Sequence, residues 1–203
     1  MKEGYRGYFE LDFLIDQKTR NIYLGELNPR ITGASSMTNH AAFAHADAPL
    51  FLFHLLEFSG VPFDLDIDEL NARWAEPENI DSWSQLVIKH TEDNVDLLTE
   101  APESGIWRMQ KDGSIEFNRF DYHRRAVESE KEAFFLRILQ PGDYRYEGAD
   151  LGILVTRGRL MDDRFRLTAR AKKWIAGIRN HYSATPVTTA AVPAIAEPAF
   201  KML

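Results

Sequence analysis

The sequence predicts an α+β chain: an antiparallel sheet with packed helices, followed by a β-rich subdomain that closes with a C-terminal helix. Three observations carry this. Residues 8–16 alternate with period two and place Phe9, Leu11, Phe13 and Ile15 on one face. Residues 84–160 hold short apolar runs separated by Lys111-Asp112-Gly113 and Pro141-Gly142-Asp143, both turn-forming sequences. Residues 164–181 place Leu167, Ala171, Trp174, Ile175 and Ile178 on one face at helical spacing.

Taken in order, residues 8–16 read as a half-buried strand, Gln17–Asn21 as a polar loop, and Ile22–Asn28 as a second strand, together a hairpin. Thr32-Gly33-Ala34-Ser35-Ser36 is a turn whose serines can cap a helix. That helix is expected from Met37 to Phe58, interrupted near Pro49 and stopped by Gly60 and Pro62. A short helix is expected over Asp68–Trp74 in the acidic stretch that follows. Strands are expected at Ser84–Thr91, Gly105–Gln110, Ser114–Arg119, Phe134–Leu139 and Gly152–Thr156, and a last helix from Arg164 to His181. From Ala184 the chain is Ala, Thr, Val and Pro without a period, the composition of a disordered extension. The resulting division is 1–62 for the lobe with the hairpin, 63–183 for the β-rich subdomain, and 184–203 for the tail.

The net charge is −7 and the pI about 5.4. Non-specific binding to nucleic acid or to an anionic membrane needs a basic surface, so neither is expected. With no cysteine, disulfides, zinc–thiolate sites, iron–sulfur clusters and cysteine nucleophiles are excluded. No apolar run approaches the roughly 18 residues that span a bilayer. A cytoplasmic location fits these features.

The chemistry lies on the first hairpin. With a Gln17–Asn21 loop, Asp16 opposes Ile22, Leu14 opposes Leu24, Asp12 opposes Glu26, and Glu10 opposes Asn28. Residues two apart share a face, so Glu10, Asp12, Glu26 and Asn28 form one polar patch. Opposed like charges destabilise a sheet, and a divalent cation between them removes that cost. Carboxylate and amide oxygens without His or Cys are hard ligands suited to Mg²⁺ or Mn²⁺, which also bind substrate phosphates. A solvated hairpin face would carry the same acidic residues. Asn28-Pro29-Arg30 at the strand end favours the metal–nucleotide alternative, because Asn adds a neutral oxygen and Arg30 can grip a phosphate or carboxylate.

Other residues give less. His40 and His45 are five apart, a poor helical metal pair, and His54, His90, His123 and His181 form no cluster in sequence. Arg119, Arg124 and Arg125 read as a solvated strand edge, and Trp107 as core. Ser35 and Ser36 have no His–Asp context for hydrolysis.

Gly7-Tyr8-Phe9-Glu10-Leu11-Asp12-Phe13 followed by Glu26-Leu27-Asn28-Pro29-Arg30-Ile31-Thr32-Gly33 resembles the ATP-grasp superfamily. In that family an acidic residue on one strand precedes Glu-x-Asn-x-Arg at the end of the next. The resemblance implies the C-terminal lobe of an ATP-grasp fold and an ATP-dependent carboxylate ligase. Asp12, Glu26 and Asn28 would be the metal ligands, with Glu26 bridging two magnesium ions. Arg30 would be the catalytic contact to phosphate or to an acyl phosphate. Gly33, Ser35 and Ser36 resemble the loop that receives the substrate carboxylate, although an ordinary helix start would look the same. Glu10 matches no family ligand.

Beyond residue 80 the chain resembles the β-rich C-terminal region of biotin-carboxylase-like proteins. Nothing before Gly7 supplies the family's glycine-rich loop or lysines. The resemblance therefore implies the C-terminal part of a longer protein, or a partner that brings the N-terminal lobe in trans, and little activity for this chain alone. The implied ligands are ATP and a small carboxylate. A homo-oligomer, a non-catalytic remnant acting through a partner, and a plain acidic metal-binding module stay open.

Overall fold

The computed structural model describes residues 4–35, 50–76 and 83–187. The chain is mixed α+β with mostly antiparallel sheets. It divides into two compact units, Met1–Trp83 and Ser84–Leu203. The division falls later than the break at Gly60–Pro62 suggests, because these two residues end a helix rather than a unit.

In the first unit β1 (Glu10–Ile15) pairs antiparallel with β2 (Ile22–Asn28). Asp16 organises the connecting loop: its Oδ1 accepts the Lys18 and Thr19 amides at 2.7 and 3.1 Å. The Thr19 amide, then that of Lys18, holds its carboxyl below the usual carboxylate range. The register matches expectation at Glu10–Asn28 and Asp12–Glu26, then slips: Phe13 opposes Leu24, Leu14 opposes Tyr23, and Ile15 opposes Ile22. Gly25 is the extra residue of a β-bulge, so the expected pairs Leu14–Leu24 and Asp16–Ile22 do not form. Asp16 instead closes the loop, its amide donating to Asn21 O at 2.9 Å.

The described part of the expected long helix is α1 (Leu50–Phe58), and residues 36–49 lie outside the described residues. α1 ends in a Schellman turn. Gly60 has φ +64°, its amide donates to Glu57 O at 3.3 Å, and that of Val61 donates to Leu56 O at 3.1 Å. α2 (Ile67–Trp74) starts where the Asp66 side chain accepts the Glu69 amide at 2.9 Å.

The second unit contains the hydrophobic core. Strands β3 (Trp83–Lys89), β9 (Asp150–Arg157), β7 (Glu132–Arg137), β5 (Gly105–Met109) and β6 (Ile115–Arg119) form a five-stranded sheet in that order. A three-stranded antiparallel sheet runs β10 (Ser183–Pro186), β4 (Asp96–Glu100), β8 (Tyr144–Arg145). Residues 184–186 are therefore strand, not the start of a disordered extension, because β4 supplies their hydrogen-bonding partner.

The last helix, α3 (Ala169–Arg179), begins later than Arg164, at the Thr168 cap, whose hydroxyl accepts the Ala171 amide at 3.2 Å. Asp162 holds the preceding residues in a turn by accepting the Arg164 and Arg166 amides, both at 2.9 Å. Leu167 consequently bridges to Met161 instead of joining the helical face. Ala171, Trp174 and Ile178 are buried as expected and pack with Ile88, Leu98, Trp107, Phe135, Leu151 and Leu154. Arg124–Ala126 form one turn of 3-10 helix rather than a strand edge, and Arg119 points back to Glu132 and Ala126 O.

Candidate metal centre

β1 and β2 bring Asp12 directly opposite Glu26 and Glu10 opposite Asn28. The bulge lies on the loop side of Glu26, so it leaves these pairs intact. Asp12 and Glu26 are exposed, and among the described residues neither has an ion-pair partner. Asn28 is buried. Its Nδ2 donates to Asp12 Oδ2 at 3.4 Å, and its Oδ1 accepts from Arg30 Nη2 at 3.4 Å. The chain reverses across Pro29, where the Arg30 amide donates to Asn28 O at 2.8 Å. The guanidinium rests against the Asn28 side chain and the Ile31 carbonyl. Asp12, Asn28 and Arg30 are thus linked in one line, with Glu26 across from Asp12.

Glu10 is held separately by the Thr32 hydroxyl, which donates to its Oε2. Thr32 also organises the following turn. Its Oγ1 accepts the Ala34 amide at 3.2 Å, and its own amide donates to Ser35 Oγ at 2.9 Å. Ser35 is buried, its carbonyl accepting from the Tyr8 hydroxyl at 3.2 Å. The Ser35 hydroxyl therefore braces the turn, Gly33 lies exposed at its apex, and Ser36 lies outside the described residues.

Among the described residues no three His, Cys, Asp or Glu side chains are grouped closely enough to enclose a metal ion. The donor set is two carboxylates and an amide. It fits Mg²⁺, which takes one or two carboxylates and completes its shell with water and phosphate oxygens. It does not fit an all-protein cage. The Asn28 amide presents nitrogen to Asp12, and a half-turn of that amide exchanges its oxygen and nitrogen without moving the backbone.

Thr32, Tyr8 and His54 carry roles that the sequence reading did not assign. His54 Nδ1 accepts the Tyr8 amide at 3.0 Å, which leaves the ring proton on Nε2. A cavity of about 420 Å³ adjoins Tyr8 and His54, lined also by Phe53, Glu57, Phe63 and Leu70 among others. The Thr32–Glu10 and Tyr8–His54 contacts span 22 and 46 residues, and no local pattern signals a contact at that range.

Compared with known proteins, the chain matches no family model, no curated protein and no solved structure. Among the described residues no helix is long and apolar enough to cross a membrane.

Proposed function

We propose that this chain carries the magnesium-binding part of an ATP-grasp carboxylate ligase acting in the cytoplasm, with ATP and a small carboxylate as its ligands. One observation supports this best: Asp12 pairs with Glu26 at a strand end where Asn28 and Arg30 lie beside them. Two opposed, uncompensated carboxylates are unfavourable in a sheet unless something cationic joins them.

Bound Mg²⁺, or Mn²⁺, would supply charge neutralisation for phosphoryl transfer from ATP to a carboxylate, which gives ADP and an acyl phosphate; an amine then displaces inorganic phosphate from it to form the amide. Asp12 and Glu26 would hold the ion. Asn28 would join them by turning its amide oxygen inward, which releases Arg30 from Oδ1. Arg30, held then only by its Nη1 bond to Ile31 O at 3.4 Å, would turn its planar fork to phosphoryl or carboxylate oxygens. The segment with Gly33, Ser35 and Ser36 would receive the substrate carboxylate, as the resemblance implies. The adenine-binding lobe would come from a longer chain or from a partner.

A test is to titrate the chain with Mn²⁺ and ATP and follow paramagnetic broadening of its amide resonances. Broadening should centre on residues 10–12 and 26–30 and disappear in Glu26→Ala. Broadening centred instead on the acidic start of α2 would overturn the assignment. With a nucleotide-binding lobe supplied, Glu26→Ala should lower ATP-dependent phosphate release by about 100-fold.

Exposure of the apolar hairpin side chains favours a second reading, an accessory domain that docks on a partner without catalysis. It expects partner binding with no Mn²⁺ dependence.

A further inference from the structure

In the second unit, six polar side chains form a continuous chain beside a cavity of about 310 Å³. Arg145 on β8 donates from Nε and Nη2 to Asp96 Oδ2, at 2.9 and 2.7 Å. Asn94 Nδ2 donates to the same oxygen at 2.8 Å, and Asn94 Oδ1 lies 2.8 Å from His90 Nε2. His90 Nδ1 is 3.2 Å from Glu92 Oε2, and Glu92 Oε1 accepts from Arg179 Nη2 at 3.1 Å. His90 and Asp96 are buried, so the middle of the chain is anchored inside the unit, and the two arginines stand at its ends. The cavity is lined by Glu92, Arg145, Leu151, Ala176, Arg179 and Asn180.

We propose that this cavity binds a free α-amino acid with a small apolar side chain. The choice follows from charge. Arg145 Nη1, and Arg179 Nε and Nη1, make no hydrogen bond among the described residues, and Arg145 and Arg179 both line the cavity. They suit a carboxylate. Glu92 lines it too, and Arg179 and Asn180 stand at the C-terminal end of α3, where the helix carries partial negative charge. Glu92 and that helix end suit an ammonium. A bare anion meets Glu92 and the negative helix end, and a bare cation meets two guanidinium groups. A zwitterion satisfies both, and its side chain would lie against Leu151 and Ala176. The volume is at the small end of ligand sites, roughly 300–1,000 Å³. The site lies wholly in the second unit and is independent of the nucleotide-site proposal.

Calorimetric titration of the 203-residue chain with L-alanine tests it, with acetate, methylammonium and inorganic phosphate as controls. Alanine should bind saturably, and acetate and methylammonium more weakly by roughly tenfold or more. Arg179→Met should weaken alanine binding by a similar factor. Arg145→Met would strand the buried Asp96 and could unfold the unit. Ala176→Leu, at an exposed helix position, instead fills the cavity without removing a charge and should abolish binding. The proposal fails if alanine gives no saturable heat, if acetate or phosphate binds as tightly, or if both variants retain full affinity.

Discussion

Glu132 is 1% exposed yet ionised, because many donors converge on its carboxylate. Oε1 accepts from Arg108, Arg119 and Asn118 at 2.5, 3.2 and 3.3 Å, and Oε2 accepts the Glu128 amide at 3.1 Å. Burial resists the charge, but the bonds from Arg108, Glu128 and Arg119 outweigh it and hold the carboxyl below its ordinary value of 4.5. Glu132→Ala leaves the two guanidinium groups without their shared partner and should cost about 3 kcal/mol, read from urea midpoints. The sign with pH follows from the lowered folded value. This contribution is complete above the unfolded carboxyl value and is lost as the pH falls through the lower folded one. Wild type should therefore lose stability in that acidic window, and Glu132→Ala should lose less. Asp12 and Glu26 present the opposite case, two charges facing each other with no ion-pair partner among the described residues and one long bond from Asn28 to Asp12. Glu26→Gln should leave stability unchanged, or raise it by a few tenths of a kcal/mol, while removing Mn²⁺ binding. Thermal melts beside the paramagnetic titration separate those two effects.

Among the elements, those with a clean period and a clear stop were legible in the sequence. β1, β2, the end of α1 at Gly60 and the buried face of α3 are examples. β4, β8 and β10 were not. Asp96 makes β4 look like loop, and Arg145 across the sheet, together with Asn94, allows its burial. β8 has two residues, too few for a period. β10 reads as tail because its partner, β4, lies over 80 residues away. The Gly25 bulge escaped notice because Ile22-Tyr23-Leu24 is apolar throughout and fits either register. The pairing of Asp12 with Glu26 was read from a Gln17–Asn21 loop; Ile15 rather than Asp16 opposes Ile22, and the Gly25 bulge offsets that one-residue difference, so the pair forms for a reason the loop length did not carry. The Thr32 brace on Glu10 was not, since it needs the chain to fold back across that proline. α3 also shows how close its packing is. A Cβ at Gly177 would lie 2.1 Å from Ile115 Cγ1 on β6, so backbone and side chain meet where no methyl fits. Gly177→Ala should cost about 1–3 kcal/mol by overpacking. Ile115→Ala should recover part of that loss in the double variant, measured as a coupling energy from thermal melts.

Over the whole molecule the two units differ in what holds them. The second buries a continuous core beneath β5, β7, β9 and α3. In the first, the buried described residues are Asn28 and Ser35, both polar. Phe13, Leu14, Ile22 and Leu24 remain 57, 65, 65 and 61% exposed. A two-stranded hairpin on its own is marginally stable, and apolar side chains left this exposed on it are a candidate docking surface. The carboxylate pair is therefore mounted on an element whose rigidity depends on what covers it, and a metal site needs ligands held in place by their surroundings. Hydrogen exchange should show the division directly. Amides of β5, β7 and β9 should exchange at the rate of global opening, and those of β1 and β2 much faster. Supplying a nucleotide-binding lobe in the same chain should slow exchange in β1 and β2, and Mg²⁺ with ATP should slow it further at residues 10–12 and 26–28. If β1 and β2 are already as protected as β7 in the chain alone, the first unit is self-sufficient and needs no covering lobe. If the lobe protects the hairpin but Mg²⁺ and ATP add nothing, the apolar surface serves docking, and the accessory-domain alternative replaces the ligase.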